Sequence, residues 1–368
     1  MKKTILVILS CLFLKNCLNK QLYEKTSLPR NKDFILVSGK IDPENYNDKM
    51  EVFIVTPENK KVELLDLLDE TQISSLNYFK YREYLIFENG KKIKLRNKEG
   101  NLDYPQNTIL YQLPILNDKK DKILYSDLSS IKVFDLNGKK KKEIKIEHER
   151  AEWFKDDKVA FLSDRKDKPG QSIQTIDLSS NKEETLYKSK QFISSFILSP
   201  DRTKLATIEL DKVWNPIQYS VRIIDLTSGK ILIQKNMPDY TKDIKWSTNG
   251  ELGILFRMKA EEGLYPPFSI YLLSEKTDKD LLQLKAYEPP GFIFSGEGYS
   301  GVEEFTWSPD GSKIAYIASE PGNCNRDEGG NVHCDLDIYI VDINTGAKEK
   351  ITNIKNKSFT FLFWKDRI

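Results

Sequence analysis

Cys324, Asp327, Glu328, His333, Cys334 and Asp335 crowd into one polar, Gly-rich stretch that gathers thiols, carboxylates and an imidazole. Thiolate and imidazole suit zinc, and oxygen ligands at alternate positions suit calcium. The spacing fits no established metal motif. Asp327, Glu328, His333 and Asp335 are therefore weak metal candidates, and no cofactor is expected. Nucleophilic catalysis fares worse. Gly298-Tyr-Ser300-Gly301 has the wrong spacing for a Gly-x-Ser-x-Gly elbow, and His148 and His333 are the two histidines of the chain. An elbow serine also needs a histidine and a hydrolase domain around it, and no stretch is free to form one. His148, in Glu147-His-Glu-Arg150, reads as a solvated histidine between strands. No catalytic residue is assigned and no enzyme is expected.

The first residues bear on the thiols. Lys2 and Lys3 precede an apolar run from Ile5 to Leu14 that is too short to span a bilayer, which is the pattern of a secretory signal. Leu14-Lys-Asn-Cys17 then resembles a bacterial lipobox of the looser kind found in spirochaete lipoproteins, with Lys15 and Asn16 where small residues are usual. The resemblance implies a signal peptide over 1–16, a lipid on Cys17, a tether over 17–33 and one domain over 34–368. It places the protein outside the cytoplasm, held to a membrane by the lipid alone. In an exported chain, Cys324 and Cys334 are expected to form a disulfide that pins the 320–336 connection. Closing such a loop is worth roughly 2–3 kcal/mol in the chain-entropy picture.

Charge removes other partners. Losing Lys2, Lys3 and Lys15 lowers 57 basic side chains to 54, against 55 acidic ones. A near-neutral balance gives no electrostatic case for nucleic acid, which calls for a concentrated positive patch. A charged fraction of 30% with 39% hydrophobic residues suits a globular chain rather than a disordered one.

The elements that must carry these residues are strands. Phe305-Thr-Trp307-Ser-Pro-Asp-Gly311-Ser-Lys-Ile-Ala-Tyr316 reads as strand, tight turn, strand. Weaker copies lie at Phe196–Ile208, Ile244–Phe256 and Glu152–Phe161. A second signal is an apolar strand ending in Asp before a turn, at Asp135, Asp177, Asp225 and Asp342. Asp bonds backbone two residues on, and Gly or Asn takes the left-handed turn position. Two hairpins in a unit of about 40–50 residues make a four-stranded antiparallel sheet, the size of a propeller blade. With strands named A to D, the last unit has A at Val302–Trp307, B at Lys313–Ser319, C at Asp337–Asp342 and D at Ala347–Thr352. The scheme also fits 192–234, 241–284, 149–187 and 108–146, and more weakly 73–106. Phe34–Leu65 supplies B, C and D without an A, and Phe359–Ile368 supplies an A without a B. The expectation is an all-β, seven-bladed propeller closed by terminal strands sharing one blade, with six blades as the alternative.

Trp307-Ser-Pro-Asp-Gly311 with Ile314-Ala-Tyr316 resembles the PD40 (WD40-like) repeat of TolB-type propellers. The resemblance implies the blade and says little about function. TolB-type proteins carry an α/β domain before the propeller, and 18–33 is too short for one, so their Pal-binding role is not expected here.

In such a meander the A–B and C–D turns share one face of the ring, and the B–C and D–A connections share the other. The long connections 210–218, 258–267, 285–301 and 320–336 all fall on that second face. They carry Trp214, Tyr265, Tyr287, Phe292, Phe294 and Tyr299. Insertions in repeat proteins often line the binding face, and Tyr and Trp are frequent anchors. The competing reading is that these rings pack on one another to hold long loops down. Trp153, Trp246 and Trp307 recur at one strand-A position and are expected to pack between blades. The expected function is a lipid-anchored, monomeric ring that binds another envelope protein or macromolecule through the long-loop face. The alternative is a small ligand or glycan at the ring mouth.

Overall fold

The computed structural model describes residues 33–40, 49–69, 75–79, 82–88, 92–97, 100–103, 115–117, 119, 121–126, 130–135, 140–145, 150–155, 157–164, 170–212, 217–238, 240–257, 268–282, 302–326, 332–352 and 358–365. Among them there is no helix, and the strands form seven four-stranded antiparallel sheets. We number these I to VII from the N-terminus. Sheets II, III and IV lie within 75–103, 115–145 and 151–188. Sheet V runs Phe192–Leu198, Lys204–Lys212, Gln218–Asp225 and Ile231–Asn236 as A to D. Sheet VI runs Thr241–Trp246, Leu252–Arg257, Phe268–Leu273 and Asp278–Leu282. Sheet VII runs Val302–Trp307, Lys313–Arg326, Val332–Asp342 and Lys348–Lys350. Sheet I joins Ser358–Lys365 to Phe34–Lys40, Lys49–Thr56 and Lys61–Asp69, with Val37 opposite both Leu362 and Phe53.

Burial follows strand position. Strand B of sheet VI is buried along Leu252–Phe256, whereas strand D of sheet V alternates exposed with half-buried residues, and its Ile231 and Leu232 are exposed. Inner strands therefore read as continuous apolar runs. Outer strands carry Lys, Glu and Gln, which protects a free sheet edge from pairing with another chain. Successive sheets pack face to face: IV on V through Ile173, Phe196 and Ile224, V on VI through Val221, Ile244 and Phe256, VI on VII through Leu272, Phe305 and Val341, and VII on I through Ile317, Ile338 and Val55. The recurring tryptophans sit in these seams. Trp307 Nε1 donates to the Lys245 carbonyl at 2.9 Å and Trp246 Nε1 to the Ile197 carbonyl at 3.4 Å, each one sheet back.

One expected boundary is corrected. The stretch 320–336 is not simply a loop. Strands B and C of sheet VII continue to Arg326 and from Val332, with a register shift between Ser319 and Cys324. Backbone pairing by itself imposes no apolar alternation, so polar, Gly-rich text can form the extension.

Candidate functional site

The residues expected to bind a partner, Trp214, Tyr265, Tyr287, Phe292, Phe294 and Tyr299, lie outside the described residues. So do Cys17, His148, Asp327 and Glu328. Cys324, His333, Cys334 and Asp335 are placed by their backbone on the sheet VII hairpin, where Cys324 stands opposite Cys334 and Asn325 opposite His333. Among the described residues no group of three or more His, Cys, Asp or Glu is placed to hold a metal ion.

The strand ends from which the long connections leave carry a set of rings and cations outside the loops themselves. Tyr219 is the second residue of strand C of sheet V, Tyr240 leads into strand A of sheet VI, and Arg257 and Phe268 flank the 258–267 connection. Tyr219 and Tyr240 meet edge to face at 5.5 Å, and Tyr240 meets Phe268 at 6.1 Å. The Arg257 guanidinium lies 5.9 Å from the Tyr240 ring and 6.0 Å from that of Phe268, over which Lys242 Nζ stands at 5.1 Å. Arg257 N donates to the Tyr240 carbonyl at 2.8 Å, which fixes the loop carrying Tyr240 to strand B. Ile217 and Phe192, at connection-side strand ends of sheet V, are exposed. Aromatic faces with adjacent cations bind through stacking, apolar contact and charge without needing any reactive group. The sequence signal is an aromatic at the first positions after an insertion.

Near this set lies a buried polar network. Glu209 of strand B in sheet V accepts from Ser189 Oγ at 2.6 Å and from Thr207 Oγ1 at 2.9 Å, and pairs with the Arg222 guanidinium. Arg222 also donates to Tyr187 Oη at 3.2 Å, on strand D of sheet IV. Burial and the Glu209 charge push the Tyr187 phenol up. Ser189 belongs to the D–A connection between sheets IV and V, so the network fastens that connection to both sheets. Closer to the centre, Glu152 on strand A of sheet IV accepts the Leu198 amide at 2.9 Å. Burial pushes its carboxyl up, against the opposing pull of Arg150, Leu198 N and Arg202.

The opposite face is made of tight turns. Ser308 Oγ donates to Asp310 at 2.6 Å, Ser312 N donates to the same carboxylate at 3.0 Å, and Lys313 N donates back to Ser308 Oγ at 2.9 Å. Ser199 and Asp201 repeat the arrangement at 2.6 Å. In the C–D turns, Asp342 accepts from Asn344 N and Thr345 N at 3.0 and 2.9 Å, and Asp225 from Ser228 N at 2.6 Å. These bonds hold the carboxyls of Asp310, Asp201, Asp342 and Asp225 below their usual range. The acids are occupied in shaping backbone and are poorly suited to proton transfer near neutrality. Ile343 N to the Ser312 carbonyl at 3.1 Å and Leu226 N to the Thr203 carbonyl at 2.9 Å place both kinds of turn on one face.

No family model matches the chain. Over 163 residues it is 24% identical to Dipeptidyl-peptidase 5 of Porphyromonas gingivalis, a match covering 44% of this chain and 20% of the peptidase. The chain thus matches about a fifth of the length of that curated relative. Among solved structures it is similar to the β-propeller domain of Cps50 (Swd1) from Myceliophteria thermophila, with a TM-score of 0.50, 12% identity, and coverage of 76% of this chain and 85% of the domain. It is also similar to the tricorn protease, with a TM-score of 0.46, 15% identity, and coverage of 85% of this chain and 31% of that one. The four-stranded sheets and the Swd1 domain give the fold: the chain is a β-propeller. The fold by itself establishes neither an enzyme nor the lack of one.

Proposed function

We propose that this chain is a non-enzymatic, lipid-anchored envelope protein that holds a partner macromolecule on its long-loop face. In this reading 1–16 is a signal peptide, Cys17 carries the lipid and 17–33 is the tether. Residues 34–368 form a seven-bladed ring of TolB-type repeats, closed by the terminal strands of sheet I. Cys324 and Cys334 form a disulfide, losing two electrons and two protons to an envelope thiol oxidant, and thereby stiffen the sheet VII hairpin. The observation that carries the binding role is the set of Tyr219, Tyr240 and Phe268 with Lys242 and Arg257. It sits at the strand ends beside the connections that carry Trp214 and Tyr265.

Crosslinking in intact cells, followed by affinity capture of the full chain, tests the reading. A specific neighbour should be captured by the wild type and lost from a Tyr240→Ala/Tyr265→Ala variant of unchanged melting temperature. Equal capture by both would remove this face from consideration. The likeness to a dipeptidyl peptidase makes hydrolysis of dipeptidyl substrates the matching control. No turnover is expected, and turnover that persists through repurification would overturn the non-enzymatic reading. Cys17→Ala is expected to shift the protein out of the membrane fraction.

A further inference from the structure

The two junctions on either side of sheet VI differ in one respect that the turn sequences explain. Between sheets VI and VII the turn Ser247-Thr-Asn-Gly250 reaches across: Thr248 Oγ1 donates to the Pro309 carbonyl at 3.0 Å and Asn249 Nδ2 to the Asp310 carbonyl at 2.8 Å. Between sheets V and VI the corresponding residues are Pro200 and Asp201. Proline has no side-chain donor, and Asp201 is an acceptor already turned back onto Ser199 and Thr203. The crossing bonds cannot form in the same way, and a cleft of about 540 Å³ is left between the two turns. The glycines report the same contrast. A Cβ on Gly311 would stand 2.8 Å from Asn249 Nδ2, whereas a Cβ on Gly250 would meet nothing within 4 Å.

The volume lies in the range of small-ligand sites. Trp246 and Ile233 contribute to the apolar part of the lining. Three of the neutral donors around it are engaged within the turns, Ser199 on Asp201 and Thr248 and Asn249 on the next turn, while Ser274 Oγ accepts from Lys276 N and Thr277 N at 3.1 and 3.0 Å. Its charged groups are the carboxylates of Asp201, Glu251 and Glu275 against the ammoniums of Lys204 and Lys276. Lys204 Nζ is bound to Glu275 at 2.6 Å. The carboxylates accept from Thr203, Thr277 and Lys204 but each retains further lone pairs, so three acids against two lysines leave the lining acceptor-rich with one excess negative charge beside an indole. That combination complements a flat or compact cation rich in N–H donors.

We propose that the cleft between sheets V and VI is a binding site for a basic peptide side chain, with the guanidinium of arginine as the best fit. It lies on the face opposite the partner face proposed above and stands independently of it.

Titration of the full chain with N-acetyl-arginine amide, followed by saturation-transfer NMR, tests the site. Saturable binding at millimolar concentration is expected, with the uncharged citrulline isostere at least about tenfold weaker. Glu251→Gln should weaken binding several-fold at unchanged melting temperature, and Asp201→Asn several-fold with some loss of melting temperature, because Asp201 also shapes its turn. Lys204→Ala releases Glu275 and should tighten binding, a gain that misfolding cannot imitate. The proposal is overturned by no saturable binding, by equal binding of citrulline amide, by indifference to all three substitutions, or by neutral sugars binding more tightly than the arginine probe.

Discussion

Glu152 and Asp310 are two carboxylates whose surroundings push them in opposite directions. Glu152 has a raised pKa because it is buried, so the folded state holds its proton more tightly than the unfolded chain does. Its contribution to stability is complete below the unfolded pKa and is lost as pH rises through the folded value. Glutamine can still accept the Leu198 amide without a buried charge. Glu152→Gln should therefore gain on the wild type in melting temperature between pH 4 and pH 8, measured by calorimetry. A constant difference across that range would show that Glu152 is not the cause. Asp310 runs the other way: its stability is present above the ordinary carboxylate range and is lost on acidification. The turn glycines offer a second comparison at this scale. Gly250 and Gly311 have φ of 80° and 69°, so alanine at either pays roughly 1 kcal/mol for the left-handed backbone. At Gly311 it also displaces Thr248 and Asn249 from their bonds, adding about 1–2 kcal/mol. Chemical denaturation should rank Gly311→Ala as clearly the more damaging.

Connections between sheets are secured by polar groups as well as by apolar seams. Removing Arg222 leaves Glu209 buried without its charge partner, so Arg222→Met should cost about 3–5 kcal/mol. Adding Glu209→Gln should recover much of that loss, because the buried charge is gone and the amide can accept from one of the Ser189 and Thr207 hydroxyls while donating to the other. Equal stability of the single and double variants would mean that packing of the arginine stem matters more. On sheet VII, Cys324 and Cys334 face each other in register, a placement within the usual Cα separation of a disulfide. Thiol titration of the denatured, non-reduced chain should find neither free. These elements were unequally legible. Trp307-Ser-Pro-Asp-Gly311 announced its turn because Asp and Gly act through local backbone geometry. The continuation of the hairpin to Arg326 was not announced, since backbone pairing by itself selects no side-chain pattern. The ring–cation set was also hidden, because Tyr219, Tyr240 and Phe268 are distant in sequence and meet only when sheets V and VI pack.

At the level of the whole molecule, repetition of strand patterns was the readable part, because each sheet buries its inner strands in the same way. The cleft between sheets V and VI was not readable. It arises from a difference between neighbouring turns, Pro200-Asp201 against Thr248-Asn249, that has meaning only once two sheets stand side by side. The pairing of Phe34–Lys40 with Ser358–Lys365 has its own cost when disrupted. Deleting 358–368 should expose the edge of Phe34–Lys40 and convert a single species in size-exclusion chromatography into aggregate. A monodisperse truncated chain would show that edge to be dispensable. The same pairing sets a schedule for biosynthesis. Phe34–Lys40 is made early, yet its neighbour is not complete until residue 365 has been added. At ribosomal rates of about 5–20 residues per second, the young strand waits for tens of seconds with one edge bare. Ser358–Lys365 therefore acts as a latch on maturation, and a chaperone that shields nascent edges would have a long engagement with the sheet that Phe34–Lys40 opens.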